Sequence, residues 1–495
     1  MPRRRTRVLV VGAGPAGLAA AARILERGRD RAHVRIATLG HHIGGKASSW
    51  RDADGRLIDH GQHVIVGFYR EMRALVRRAG VDVEAHLVTN EGHSYVFEER
   101  DGLVHDISLA RNPLGVLYKT MGFPGLSSRE KRSIFRFTMA NLGLFLGAQS
   151  IDELDDVCFT AFCLEGGLAP SIVRTNAFKM SRFAQLNWPG EISAYSMLKA
   201  MREMSRDYRM SEYSFCDGGM TERFWEPILA YVASMGAELE LMRKLTGLRA
   251  RRGRLTGVTF AEPDSGGHDL QDRHPGLSVF AGPVPVKAGT EVVDTAFDQV
   301  ICTLPATSFQ ELNPGDRVFW SIPAFRRIRQ LRGVKPLAMQ IWHRERVTRR
   351  YESVIAGLQG PLAFVIDSKH VIREYRENPR YGAVLYLVGQ ETGYEGWTDG
   401  ELLELTLKNL SRLPGYERMR SNGILHWKVI RHHAPHELYW YTEPGAQRLR
   451  PFHRTPVANL KLAGDWVRSE LDFPCMEAAI RSGQEAADAV LEDVE

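Results

Sequence analysis

The sequence predicts an α/β fold: a parallel, doubly wound sheet interleaved with an α+β lobe and a helical subdomain. Three observations carry this. A β-branched run, "RVLVV" (7–11), leads directly into a glycine-rich turn and an alanine-rich helix. Short buried strands of the same kind return at "DQVICTLP" (298–305) and within "NLKLAGD" (459–465). Between these segments, 109–204 is mainly helical in period, while 310–450 mixes strands with one helix.

In chain order, the first strand is followed by a helix that ends near Gly28, then by a strand over 33–37. Residues 85–110 read as short strands, including "HSYVFEE" and "GLVHDIS". "REKRSIFRFTMANLGLFLG", "ISAYSMLKAMREM" and "FWEPILAYVASMG" (224–236) carry apolar residues at helical spacing. "AELELM" and "LTGVTFAE" read as strands, and 264–276 as a polar loop. "LAMQIWH" and "AVLYLVG" are strands flanking the helix "DGELLELTLKNLSRL" in the second lobe, and the chain closes on a long helix. The expected division is 1–84, 214–309 and 455–495 for the nucleotide-type half, with 85–213 and 310–454 for the other.

The chain has 495 residues, too many for one simple core. A net charge of +6, with both signs interleaved, argues against a nucleic-acid partner and is compatible with an anionic membrane surface. The five cysteines form no CxxC pair and no cluster with histidine, so no metal site is expected and a reducing compartment fits. The basic, apolar start is not a signal peptide, because Gly12, Gly14, Pro15 and Gly17 cut it. No uninterrupted stretch is long enough to span a bilayer. The expectation is a cytoplasmic protein with a peripheral membrane contact.

Gly12-Ala13-Gly14-Pro15-Ala16-Gly17 is GxGxxG between strand and helix. The first glycine permits the tight turn, the second admits a pyrophosphate to the backbone, and the third lets helix pack on strand. The helix N-terminus then turns free N–H groups to the phosphates. Gly44-Gly45-Lys46 adds backbone donors and a cation for the same group. The second strand should end on an acid that holds a ribose, yet Thr38 stands there.

"GGKASSWRDADGRLIDHGQHVIVGFY" (44–69) resembles the FAD-dependent carotenoid desaturases of the phytoene and ζ-carotene type, within the flavin amine oxidase superfamily. The likeness continues through "NPLGVLYKTMGFPGLSSREKRSIF", "EISAYSMLKAM" and "DGGMTERFWEPI", and ends with "RPFHRTPVANLKLAGDWVRSELDFPCMEAAIRSGQEAADAV". It implies a Rossmann-type FAD-binding domain beside a substrate domain. It implies that Gly12, Gly14, Ala16 and Gly17 hold the pyrophosphate, with Gly44, Gly45 and Lys46 beside it. Gly61, Gln62 and His63 would lie near the isoalloxazine, and Leu245 would present backbone to the adenine end. Gly464 and Asp465 would contact pyrophosphate and ribityl chain, and Met476 would start a helix aimed at the flavin N1–C2 edge. An acid normally stands in this family where Thr38 is, so one ribose hydrogen bond is expected to be weaker.

The expected function is an FAD-dependent oxidoreductase that moves hydride between an apolar isoprenoid or polyene and flavin N5, with a quinone or oxygen as acceptor. His63 is the one candidate for a catalytic contact. The alternatives are a hydroxysqualene-type dehydroxylase, an amine oxidase using Tyr439, Trp440 and Tyr441 as an aromatic cage, and a non-catalytic prenyl-lipid binder. Cys475 raises the question of a covalent flavin link, set against a plain buried thiol; the methionines from Met197 to Met220 raise that of a lipid tunnel, set against plain core. In 111–149, Arg129, Lys131, Arg132 and Arg136 precede Leu142, Leu144, Phe145 and Leu146, which reads as a membrane-resting helix or as an ordinary helix with a solvated basic face.

Overall fold

The computed structural model describes the chain except residues 1–3, 29–30, 42, 90–92, 99–101, 109–120, 123–124, 175–184, 186–187, 189, 207, 265–282, 348–352, 356–359, 420 and 495. Most of the expected 264–276 loop and the start of the 111–149 segment lie outside the described residues.

β1 (Thr6–Val11) is the middle strand of a five-stranded parallel sheet. The order is Glu238–Glu240, β2 (Ala32–Ala37), β1, Gln299–Cys302, Leu460–Leu462. Val8 stands opposite Val34 on one side and Gln299 on the other. Both faces of β1 are covered, which is why its run is apolar without alternation. On one face lie α1 (Pro15–Gly28) and the C-terminal helix Met476–Val494. They cross almost backbone to backbone, since a Cβ at Gly483 would sit 2.1 Å from the Ala16 carbonyl oxygen. The opposite face carries an aromatic core of Phe309, Phe319, Trp320, Phe325 and Trp466.

The second lobe is a seven-stranded sheet ordered Ile424–Arg431, Pro336–His343, Ala383–Gln390, Leu362–Asp367, Ser353–Ile355, His93–Glu98, Leu103–Ser108. Its strands pair antiparallel except where Ile355 meets Val96 in parallel, joining two distant parts of the chain. The helix Asp399–Leu410, closed by a Thr398–Glu401 capping box, covers one face.

In the helical subdomain, a Ser127–Glu130 capping box starts the helix Ser128–Ala140. Phe137 turns inward onto Phe145 and Phe162. The apolar run of the sequence therefore divides: Leu144 and Phe145 belong to this core, while Leu146 is 60% exposed. The outward apolar groups on the helix itself are Phe135 and Met139, each 46% exposed, one turn from Arg132 and Arg136. Met197 and Met201 pack in the same core, and Met204, Met210 and Met220 in that of the parallel sheet, so these methionines are core. Among the described residues, no helix is long and apolar enough to cross a membrane.

Candidate functional site

One continuous cavity, about 2330 Å³ counted to its open mouth, runs from the C-terminal end of the parallel sheet to the face of the antiparallel sheet. This is where open α/β sheets place their ligands. At the near end, the Gly12 N–H donates to the Ala37 carbonyl and the Thr303 N–H to that of Val11, which fixes the turn after β1. Gly12 (φ +111°) and Gly17 serve the fold itself. A Cβ at Gly12 would meet Thr303 Oγ1 at 2.3 Å, and one at Gly17 would meet the Gly12 carbonyl oxygen at 1.9 Å. Gly14 differs, because its Cβ would find only the Gly45 backbone, at an ordinary 3.7 and 3.9 Å. The fold does not demand a glycine there, whereas a pyrophosphate lying on the backbone does.

The second glycine loop closes this cradle. The Gly44 N–H donates to the Ala13 carbonyl, and Trp225, whose indole N–H bonds the Ala47 carbonyl, leaves no room for a side chain at Gly44 (φ +102°). Lys46 is not a free phosphate cation: its Nζ lies 3.1 Å from Asp465 and 4.7 Å from the Tyr439 ring centroid. The two expected contacts, Lys46 and Asp465, are thus one ion pair on the cavity wall. Gly464 (φ +136°) stands beside them, its N–H bound to Ser482 Oγ. Ala16 lines the cavity in the first turn of α1.

Beside the end of β2, where the sequence places the adenosine, Thr38 is buried, with its N–H on the Glu240 carbonyl and its own carbonyl taken by the Arg243 N–H. Lys244 and Leu245 follow on the cavity wall. Glu311, which the sequence reading missed, lines the same cavity. Burial pushes its carboxyl up and the nearby Lys244 ammonium pulls it down. It comes from the turn after the short helix Ala306–Phe309, which follows Gln299–Cys302 across β1 from β2, so no local spacing pointed to it.

At the far end stand Gly61, Gln62 and His63, with Cys475 and Met476 at the start of the last helix. Burial pushes the His63 imidazole down to about 4, His432 adds to this, and hydrogen bonding to the Lys46 backbone opposes it. His63 is therefore neutral near pH 7 and its Nδ1 has no partner. Asp59, just ahead of this loop, is pushed up to about 8 by burial, with Glu222 and Glu374 adding. Cys475 Sγ accepts the Ala478 N–H, and burial pushes its thiol well up, which leaves a poor nucleophile for a covalent link. The Glu477 carboxylate does not face the flavin region: it caps the helix Arg70–Arg78 through the Glu71 and Met72 N–H groups.

The three consecutive aromatics do not form a cage. Each faces its own protein cation: Lys46 over Tyr439, Arg450 over Trp440 at 4.4 Å, and Arg332 over Tyr441 at 4.8 Å. Tyr439 lines the cavity. The structure also gathers a group that no spacing announced, His60, His432 and Glu437, with ligand atoms within 4.8 Å of one another.

A doubly wound parallel sheet, a glycine cradle at its first turn and a helix N-terminus on the same cavity define a dinucleotide-binding flavoprotein. The chain belongs to the family of flavin containing amine oxidoreductases, whose model matches residues 15–491. It is similar to a 15-cis-phytoene desaturase of Solanum lycopersicum, 24% identical over 100% of this chain and 79% of that one. A ζ-carotene desaturase of Synechocystis is also 24% identical, over 98% of this chain and 97% of its own. Among solved structures, putrescine oxidase bound to putrescine aligns with a TM-score of 0.67 at 14% identity, covering 99% of both chains. UDP-galactopyranose mutase aligns at 0.66 and 16%, covering 98% of this chain and 96% of that one. These two share the fold. The protein is accordingly an FAD-dependent oxidoreductase of the amine-oxidase and carotenoid-desaturase superfamily.

Proposed function

We propose that the enzyme dehydrogenates a long apolar isoprenoid or polyene. The observation that carries this reading is the far wall of the cavity, where Phe364, Val388 and Pro336 of the antiparallel sheet face the Gly61–His63 loop. An apolar chain laid there is held by area rather than by charge, and water is excluded around the reacting carbons. Bound FAD supplies a hydride acceptor at N5. The chain's own part is to hold that cofactor between the Gly12–Gly17 turn, the Gly44–Lys46 loop and the Gly464–Met476 segment. His63 lines the cavity beside the substrate space and is neutral near pH 7, which suits it to take up a proton lost from the neighbouring carbon. A quinone or oxygen completes the cycle as electron acceptor, with no nucleic acid involved.

The likeness to phytoene and ζ-carotene desaturases supports this substrate class. The dispersed aromatics weigh against a small amine. A second reading, action on a hydroxylated isoprenoid such as a hydroxysqualene, is favoured by the polar His60, His432 and Glu437 patch. The test is anaerobic stopped-flow bleaching of the bound flavin. Liposomal polyenes or hydroxysqualene should bleach it; bleaching by putrescine and not by either lipid would sink the proposal.

The setting is the cytoplasm, with contact to a membrane surface. Phe135, Met139 and Leu146 would enter the headgroup layer while Arg132 and Arg136 meet anionic lipid. Flotation with anionic liposomes at low salt should capture the protein, and Arg132→Glu with Phe135→Ser should release it. Undiminished capture of that variant overturns the assignment.

A further inference from the structure

We propose that His60, His432 and Glu437 form a binding site for one divalent transition-metal ion of the zinc class, on the wall of the flavin cavity. The starting observation is a cost. The Glu437 side chain is in a residue only 3% exposed, and neither carboxylate oxygen has a hydrogen-bond partner. A buried carboxylate left bare costs several kcal/mol in general, so such groups are paired, protonated or ligating.

The neighbours say which kind of group is missing. His432 Nε2 lies 2.6 Å from the carbonyl oxygen of His60. A carbonyl only accepts, so this nitrogen carries the proton, and in the neutral ring Nδ1 presents a lone pair. That Nδ1 faces His60 Nδ1 at 3.4 Å and Glu437 Oε1 at 3.7 Å. The His432 lone pair and the bare Glu437 oxygens thus meet, and His60 Nδ1 joins them as a third donor atom in the tautomer that carries its proton on Nε2, so a cation there would satisfy the carboxylate.

The spacing suits a metal. Four-coordinate zinc with bonds of about 2.0–2.2 Å sets its donor atoms roughly 3.3–3.6 Å apart, close to the 3.4 and 3.7 Å around His432 Nδ1, with all three ligand atoms within 4.8 Å. The carbonyl bond to His432 Nε2 is also what a ligating imidazole ordinarily makes with its second nitrogen, fixing its tautomer and plane. Trp50 holds the other ring edge-on, with centroids 5.3 Å apart. Two imidazoles and one carboxylate make a borderline set that suits zinc or iron(II) and leaves a fourth position for water or a hydroxyl. His60 and Glu437 both line the cavity, so that position has access to it.

The experiment loads the holoprotein with zinc chloride, dialyses it against metal-free buffer and measures zinc by elemental analysis and X-ray absorption. The expected result is one zinc per chain, with nitrogen and oxygen neighbours and an imidazole signature. Glu437→Gln and His432→Asn should each weaken retention at least tenfold, and His33→Asn, at the exposed pair with Glu238, should leave it unchanged. Three results overturn the proposal: no retained zinc, sulfur neighbours at about 2.3 Å that place the ion on cysteine, or undiminished retention in both site variants. Should the variants fail to fold, the stoichiometry and absorption spectrum of the unaltered protein decide alone.

Discussion

The two ends of the cavity are built by different means. The phosphate end is made of backbone: two glycine loops, a helix N-terminus and one ion pair, with Gly14 and Gly45 facing each other across an open cradle. The far end is made of side chains that meet from residues 60–63, 364, 388 and 435–437. Backbone recognition tolerates few residue types at a few fixed positions. Side-chain recognition can be rewritten one residue at a time, so the first end defines the family and the second defines what this member does.

The sharpest way to break the comparison is at the glycines. Gly14→Val should abolish FAD binding, a loss of at least about 100-fold on the scale of a filled phosphate site, while the circular dichroism of the apoprotein stays native. Gly17→Val should instead fail to fold, because its Cβ already collides with the Gly12 carbonyl. Equal effects of the two in a joint fold and flavin-content measurement would erase the distinction between fold glycine and ligand glycine.

At the far end, His63 should govern acid stability. Its folded value of about 4 lies below the 6.5 of an unperturbed imidazole. The unfolded chain then binds the proton first as pH falls, so stability is fully present above 6.5 and is lost between 6.5 and 4, by up to about 3 kcal/mol. Urea titrations across that window should show a flatter loss for His63→Asn than for the unaltered enzyme. Parallel slopes would place the histidine in a more polar setting than the cavity wall.

Returning to the near end, Lys46→Met strands the buried Asp465 carboxylate and should cost the apoprotein about 2 kcal/mol. Adding Asp465→Asn should recover part of that stability without restoring flavin affinity. Recovery of both would make the pair purely structural. The smallest effects belong to the ribose. Thr38→Glu should tighten FAD about fivefold and Glu311→Gln should loosen it by a similar factor, near 1 kcal/mol each, read by flavin fluorescence titration. No change in either variant would move the ribose contact elsewhere.

How far the sequence could be read follows the same division. GxGxxG and the Gly44–Lys46 loop were legible because a tight turn under phosphate needs glycines at local spacing. The pairing of Lys46 with Asp465 was not, since the partners are 419 positions apart. His60 and His432, 372 positions apart, meet because the 57–63 segment lies across the antiparallel sheet, and no periodicity encodes that. The apolar run after Asn141 left a membrane-resting and an ordinary packed helix both open, because composition shows that residues are apolar and not which way they face. Phe137 drew Phe145 inward.

The parallel sheet also sets a timetable. Its middle strand is made long before Leu460–Leu462 and the helix from Met476, with which it shares one layer of the fold. On the ribosome, the first turn emerges early and waits, with Ala16 open where Gly483 will later press. The cavity that would hold FAD needs residues 12–16 and residues 464–479 together. Contacts that span the full length of a polypeptide are slow to form, and during that wait the nascent apolar strands need shelter. The flavin cradle is thus tied to contacts between the first turn and the last helix, and it is complete only when those two have met.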